Sequence, residues 1–289
     1  MDSIKQRHAQ SIYRKKLRRR HFTENAQDKT RSIKHLCKLN PFMKNFLTLL
    51  LKFSMNECKM FILWLKHFLA ERDLRYKQDS SIFNLTDASF GLEHLCREMG
   101  QIYETVSSSE KEDAKLKELK EQLSMITARM LLLGHPFEIM DGETANVPIT
   151  WVDAVLMNLK DIIGDKKVLT ISVLGVQGSG KSTLLSTLFG LQFAVISRRC
   201  TRGVLMHLVP VDATNFPYEW ILVIYTDGLR ALELGHPEYK QNNELATFVI
   251  GICDITIVNT KGEYTNDVKD FLRISVHALL RLKFVDLNI

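Results

Sequence analysis

Apolar side chains follow a helical spacing in the first half of the chain and a strand-like pattern in the second. In residues 40–75 they recur every three or four positions on both sides of Asn56, which predicts two helices. In residues 109–133 the same spacing follows a capping-box pair, Ser109 and Glu112, and predicts a third helix. The first half of the chain is therefore expected to be an α-helical region.

Turn-forming residues separate the two patterns. Residues 134–150 concentrate glycine, asparagine and two prolines, and predict a domain boundary. Thr150 is placed to cap a short helix that ends at Gly164. The chain is accordingly divided into a basic mobile arm over residues 1–35, an α-helical region over residues 36–149 and a second domain over residues 150–289.

After Lys167, short runs rich in β-branched residues alternate with helical patterns. Strands are predicted at residues 168–175, 204–211, 219–225 and 255–259. Helices are predicted at residues 182–190, 242–251 and 268–283. Strands that alternate with helices indicate a mainly parallel sheet in a layered α/β domain.

The net charge of +6 comes from the N-terminal arm. Residues 1–20 hold eight lysines and arginines against one acidic residue, Asp2, so the rest of the chain is close to neutral. A solvated extension, a nuclear-import signal and an RNA-binding arm all fit this pattern. A nucleic-acid interface beyond the arm is not expected.

Cysteine usage and hydropathy favour an intracellular protein. The five cysteines are odd in number and show no metal-binding spacing, which argues against a disulfide framework and against structural zinc. The most apolar stretch, residues 46–70, is interrupted by four charged side chains. Because a membrane-spanning helix needs about 20 mostly apolar residues, we expect no transmembrane segment.

A glycine-rich motif lies between a predicted strand and a predicted helix, the context that a phosphate-binding loop requires. It fits G-x-x-x-x-G-K-S without deviation and consists of Gly175, Val176, Gln177, Gly178, Ser179, Gly180, Lys181 and Ser182. In such a loop the backbone N–H groups surround phosphate oxygens, the lysine reaches the β- and γ-phosphates, and the serine hydroxyl ligates Mg²⁺. The sequence therefore predicts a nucleoside triphosphate site.

Longer segments around this motif carry a family resemblance. They are "SVLGVQGSGKSTLLSTLFGLQFAV", "RCTRG", "TDGLRALEL" and "NELATFVIG", with "LLGHPFEIMDGETANVPITWVDAVL" and "NECKMFILWLKHFLAER" before them. Together they resemble the interferon-induced very large GTPases, within the dynamin-like GTPases. The resemblance implies a P-loop G domain with a mainly parallel sheet, preceded by an α-helical region, and a cytosolic or nuclear location.

The resemblance also implies ligands and roles for single residues. It implies GTP with Mg²⁺, held by the phosphate loop together with Thr183 and by the amide of Gly228. Ser182 and Thr201 would be the metal ligands, and Gln177 and Thr201 the catalytic candidates. Whether the chain is an active GTPase stays open at this point.

Three departures from the family pattern predict weak or no hydrolysis. Tyr225 stands where the family has an aspartate that positions a magnesium-bound water, and a phenol does not supply that charge. Gly178 follows Gln177 where a serine hydroxyl is common. The G domain is also expected to be C-terminally incomplete, without the segment that reads guanine. The run 259–262 resembles the base-reading motif only in part, and we interpret it as a turn at the end of a strand.

Two other functions remain open. A competent hydrolase could be completed by self-association through the G domain. A non-enzymatic interaction or scaffold protein could act through the helical region and the basic arm, with a phosphate loop that is only residual. A third possibility is a chain that does not fold stably.

Overall fold

The computed structural model describes two compact units. A helical unit is drawn from residues 24–138 and 148–165, and a unit that contains a sheet is drawn from residues 139–147 and 166–289. The residues that the structure describes are 41–79, 91–108, 114–141, 146–175, 178–191, 203–212, 214, 216–226, 237–260, 269 and 272–280. The predicted basic arm lies outside these residues.

The helical unit contains five helices in the described ranges. They are α1 (Pro41–Lys52), α2 (Met55–Asp79), α3 (Leu92–Ser107), α4 (Ala114–Leu132) and α5 (Ile149–Ile163). The two helices predicted in residues 40–75 and the third helix after residue 109 are confirmed, whereas α3 was not predicted. The capping pair Ser109 and Glu112 lies outside the described residues.

The break between α1 and α2 is made by a capping box centred on Ser54. The Ser54 N–H and Oγ donate to Glu57 Oε2 at 2.8 and 2.7 Å, and the Glu57 N–H donates back to Ser54 Oγ at 3.4 Å. These hydrogen bonds from Ser54 also lower the pKa of the Glu57 carboxyl. The Ser-x-x-Glu spacing therefore starts α2 just before Asn56, where the apolar pattern changes.

The start of α5 corrects the prediction that Thr150 caps this helix. Thr150 lies inside α5, and Pro148 is the residue before its first turn. A side chain from another helix satisfies one of the first N–H groups, because Glu104 Oε1 of α3 accepts the Trp151 N–H at 2.8 Å. The Trp151 ring is buried and lies 5.1 Å from the Tyr103 ring. The predicted end at Gly164, which has φ +70°, is confirmed.

The structure contains a five-stranded sheet with the order β1-β3-β4-β2-β5, and all of its strands except the first half of β1 belong to the second unit. The strands are β1 (Phe137–Met140), β2 (Val168–Gly175), β3 (Val204–Pro210), β4 (Trp220–Thr226) and β5 (Ile255–Asn259). β2 pairs in parallel with β4 on one side and with β5 on the other, while β3 and β4 are antiparallel. The predicted α/β fold with a mainly parallel sheet is therefore confirmed, and β1 is a strand that the sequence did not predict.

Strand β2 is buried on both faces, as its almost continuous apolar run requires. Leu169, Ile171 and Val173 belong to a core that also includes Leu185 of the following helix. On the other face, Ser172 is fully buried and its hydroxyl donates to Thr256 Oγ1 at 2.8 Å. The strand that precedes the predicted phosphate loop is thus held by packing on both faces and by a paired strand along each edge.

Helices cover this sheet. α6 (Lys181–Phe189) follows β2, and α7 (Pro237–Ile252) precedes β5; both contact β2. Residues 272–280 are also helical, as predicted. Within the described residues, no helix is both long and apolar enough to cross a membrane.

Arg129 of α4 should be a main determinant of the stability of the helical unit. Its guanidinium donates to the carbonyls of Leu50 and Phe53, at 3.3 and 2.9 Å, where α1 ends. We expect Arg129→Met to lower the free energy of unfolding by about 2 kcal/mol, because charged donors are lost from these carbonyls. The exposed Arg273→Met is the matched control, with an effect within about 0.5 kcal/mol. Urea denaturation followed by circular dichroism measures both; equal midpoints would contradict the prediction.

Candidate phosphate-binding site

The predicted phosphate loop joins the end of β2 to the start of α6. Gly175 is the last residue of β2, and Lys181 is the first residue of α6. Between them Gly178 and Gly180 have φ values of +79° and +88°, a backbone conformation that favours glycine. The loop therefore leads the chain directly onto a helix N-terminus, where unpaired N–H groups and the positive end of the helix dipole favour an anion.

Lys181 folds back over this loop. Its side chain is only 5% exposed, and its Nζ donates to the Gly175 carbonyl at 3.1 Å. A lysine head group that is buried beside a glycine-rich backbone places a positive charge where phosphate oxygens would bind. The role of Lys181 as the phosphate-binding lysine stays a prediction.

Ser182 and Thr183 lie in the first turn of α6, and both are exposed. Their hydroxyl oxygens are of the kind that Mg²⁺ accepts as ligands. The described residues contain no group of three or more His, Cys, Asp or Glu side chains that could hold a metal ion. Of the two predicted metal ligands, Ser182 lies in this turn and Thr201 lies outside the described residues.

Tyr225 lies at the same edge of the sheet as the loop. It pairs in register with Val173, so the carboxyl ends of β2 and β4 meet here. Its ring is 6% exposed, belongs to the hydrophobic core and stacks on His207 at 5.6 Å between centroids and 8° between planes. An aromatic side chain packed in a core thus occupies this position of β4.

Asn259 is a site residue that the sequence analysis missed. The sequence analysis interprets the run 259–262 as a turn at a strand end, and Asn259 is the last residue of β5. Its Nδ2 donates to the Ser179 carbonyl at 3.1 Å, with Ser179 Oγ at 3.4 Å. A signal for such a contact is its place at the carboxyl end of a strand predicted to be parallel, the edge at which ligands bind in α/β sheets.

The three cysteines in the described residues are free and poorly suited to nucleophilic chemistry. Burial raises the pKa of the Cys96 and Cys253 thiols to about 12, and burial also raises the pKa of Cys58. A thiol with a raised pKa is protonated near neutral pH, and the protonated form is a weak nucleophile.

Four predicted site residues lie outside the described residues: Val176, Gln177, Thr201 and Gly228. The described members of the predicted set lie together in one short segment. They are Gly175, Gly178, Ser179, Gly180, Lys181, Ser182 and Thr183. The roles predicted for Gln177, Thr201 and Gly228 stay predictions.

Comparison with known proteins matches the chain to GTPases. A family model described as the URGCP-like GTPase domain matches residues 2–287. The chain is 38% identical over 286 residues to Interferon-induced very large GTPase 1 of Mus musculus. This match covers 86% of the chain and 12% of that protein. It is 42% identical over 204 residues to the Homo sapiens protein of the same name, covering 70% of the chain and 8% of that protein.

A second group of relatives is shorter. The chain is 36% identical over 203 residues to Up-regulator of cell proliferation of Mus musculus, covering 67% of the chain and 21% of that protein. The chain thus spans about a fifth or less of the length of each of these three relatives.

Two glycines of the loop, Gly175 and Gly178, should respond differently to replacement by alanine. A Cβ at Gly175 would collide with the Asn259 carbonyl, whereas no atom of the other described residues lies within 4 Å of a Cβ at Gly178. We expect Gly175→Ala to cost about 1–3 kcal/mol by forcing β2 and β5 apart. Gly178→Ala should cost about 1 kcal/mol through its positive φ alone. Thermal denaturation of both variants tests this, and a Gly175→Ala protein as stable as the wild type would contradict it.

Proposed function

The chain belongs to the URGCP-like GTPase domain family, and on that basis we propose that it binds a guanine nucleotide through the phosphate loop of residues 175–182. The observation that carries the proposal is the strand, loop and helix arrangement, with two glycines at positive φ and Lys181 folded onto the Gly175 carbonyl. The activity of the much longer relatives as whole proteins is not required for it.

The described residues fit a nucleoside triphosphate. Among the residues that the structure describes, no atom lies within 4 Å of a Cβ at Gly178 or Gly180, which leaves room for phosphate oxygens to approach the backbone N–H groups there. Lys181 would exchange its carbonyl partner for phosphate oxygens, and the Ser182 hydroxyl would be a ligand of Mg²⁺. The bound metal would neutralise phosphate charge.

We propose further that hydrolysis is slow or absent. In phosphoryl transfer almost all of the rate comes from positioning and from electrostatic stabilisation. The buried ring of Tyr225 at the end of β4 offers no carboxylate to hold a magnesium-bound water. We therefore expect the phosphate loop to bind nucleotide, and Tyr225 in place of a carboxylate to prevent efficient turnover.

Lys181→Met should abolish most nucleotide binding. The substitution keeps the buried stem and removes the ammonium, so we expect the Kd for a fluorescent GTP analogue to rise about tenfold or more. Lys160→Met, which replaces an exposed lysine on α5, is the matched control and should bind like the wild type. Titrations of GTP and ATP analogues, with Mg²⁺ and with chelator, provide the measurement.

A wild-type protein that melts cooperatively and binds neither nucleotide would overturn the proposal. An interaction role through the helical unit would then be favoured by the exposed apolar stripe of α2. Trp64 and Phe68 are 58% and 47% exposed, and their rings stack at 5.4 Å.

Phosphate release should be close to background at every protein concentration. The measurement is Mg²⁺-dependent release from GTP over a hundredfold range of protein, with Lys181→Met as the blank. Release that rises more steeply than protein concentration would show a hydrolase completed by self-association. It would contradict the proposal that turnover is slow because of Tyr225.

A further inference from the structure

The carboxyl end of β5 holds the phosphate loop at two points. The register of β2 and β5 places Asn259 opposite Gly175, and the Asn259 carbonyl lies where a Cβ at Gly175 would stand. The Asn259 side chain reaches further along the loop, where its Nδ2 donates to the Ser179 carbonyl at 3.1 Å. Asn259 of the neighbouring strand thus contacts the loop both at its first residue, Gly175, and at Ser179.

The contact to Ser179 fixes the orientation of a peptide group. The peptide bond between Ser179 and Gly180 is trans, so its C=O and N–H point in opposite directions. Because the carbonyl points to Asn259, the Gly180 N–H points away from β5. Gly180 immediately precedes the first residue of α6, so its N–H is among the donors available to an anion at this helix start.

We propose that Asn259 is a positioning residue for phosphate binding: its side-chain amide holds the 179–180 peptide so that the Gly180 N–H is available to the phosphate. The proposal rests on the nucleotide binding proposed above and adds a residue from outside the loop to that site.

An asparagine suits this place for two physical reasons. The contact needs a donor, which a carboxylate lacks, and a short side chain holds its end group with little loss of rotamer entropy. A negative charge beside the loop would also repel phosphate. Asn259→Ala removes the donor alone, and Asn259→Asp removes the donor and adds charge, so the two variants separate positioning from repulsion.

The first measurement needs no nucleotide. In ¹⁵N relaxation experiments on the free full-length chain, we expect the Gly180 amide order parameter to fall from about 0.85 to below about 0.6 in both Asn259 variants. The matched control is Asn158→Asp in α5, because Asn158 Nδ2 likewise donates to a hydroxyl and a carbonyl, Ser124 Oγ and Ala154 O. This control should leave the Gly180 value unchanged. A Gly180 amide as rigid in the Asn259 variants as in the wild type would overturn the proposal.

The second measurement is the Kd for the fluorescent GTP analogue. We expect both Asn259 variants to bind about tenfold more weakly than the wild type, at unchanged melting temperature. Loss confined to Asn259→Asp would overturn the proposal, since charge repulsion alone would explain it. A wild type that does not bind would overturn the proposed nucleotide function, and Gly180 relaxation would then still show whether Asn259 anchors the loop.

Discussion

The parallel pairing of β2 with strands on both of its sides is the constraint on which the sheet unit depends. β4 and β5 hold this strand along its length, and both of its faces are buried. A strand fixed in this way must leave the sheet at a defined point and direction. The glycine-rich loop therefore starts from a firmly held strand end and leads into the start of α6.

The helical unit depends on a related constraint, since the polar ends of its helices have to be satisfied. In two places the partner is a side chain from another helix. Arg129 of α4 binds the carbonyls where α1 ends, and Glu104 of α3 accepts an N–H where α5 begins. These contacts connect helices that are far apart in sequence, so each helix end also fixes the packing of its neighbour.

The strands from β2 to β5 and the phosphate loop could be predicted because their signals are local. A β-branched run, two glycines and a following helical pattern lie within about 25 residues. Helix α3 and strand β1 were missed for different reasons. α3 does carry a helical spacing of buried apolar residues, such as Leu95, Met99 and Ile102, and the sequence analysis overlooked it. β1 is a four-residue strand among turn formers, recognisable only through its neighbour β3. The error at Thr150 and the unpredicted contact of Asn259 have one cause, since both concern side-chain contacts between segments far apart in sequence.

Lys181 Nζ donates to the Gly175 carbonyl, so the ammonium has a hydrogen-bond partner within the loop. A phosphate bound as we propose would have to replace this carbonyl as the partner of the ammonium. The affinity then reflects an exchange of hydrogen bonds, which yields less free energy than the formation of a new one. Because the Lys181 side chain is already ordered beside the loop, little of its conformational entropy would be lost when a phosphate binds.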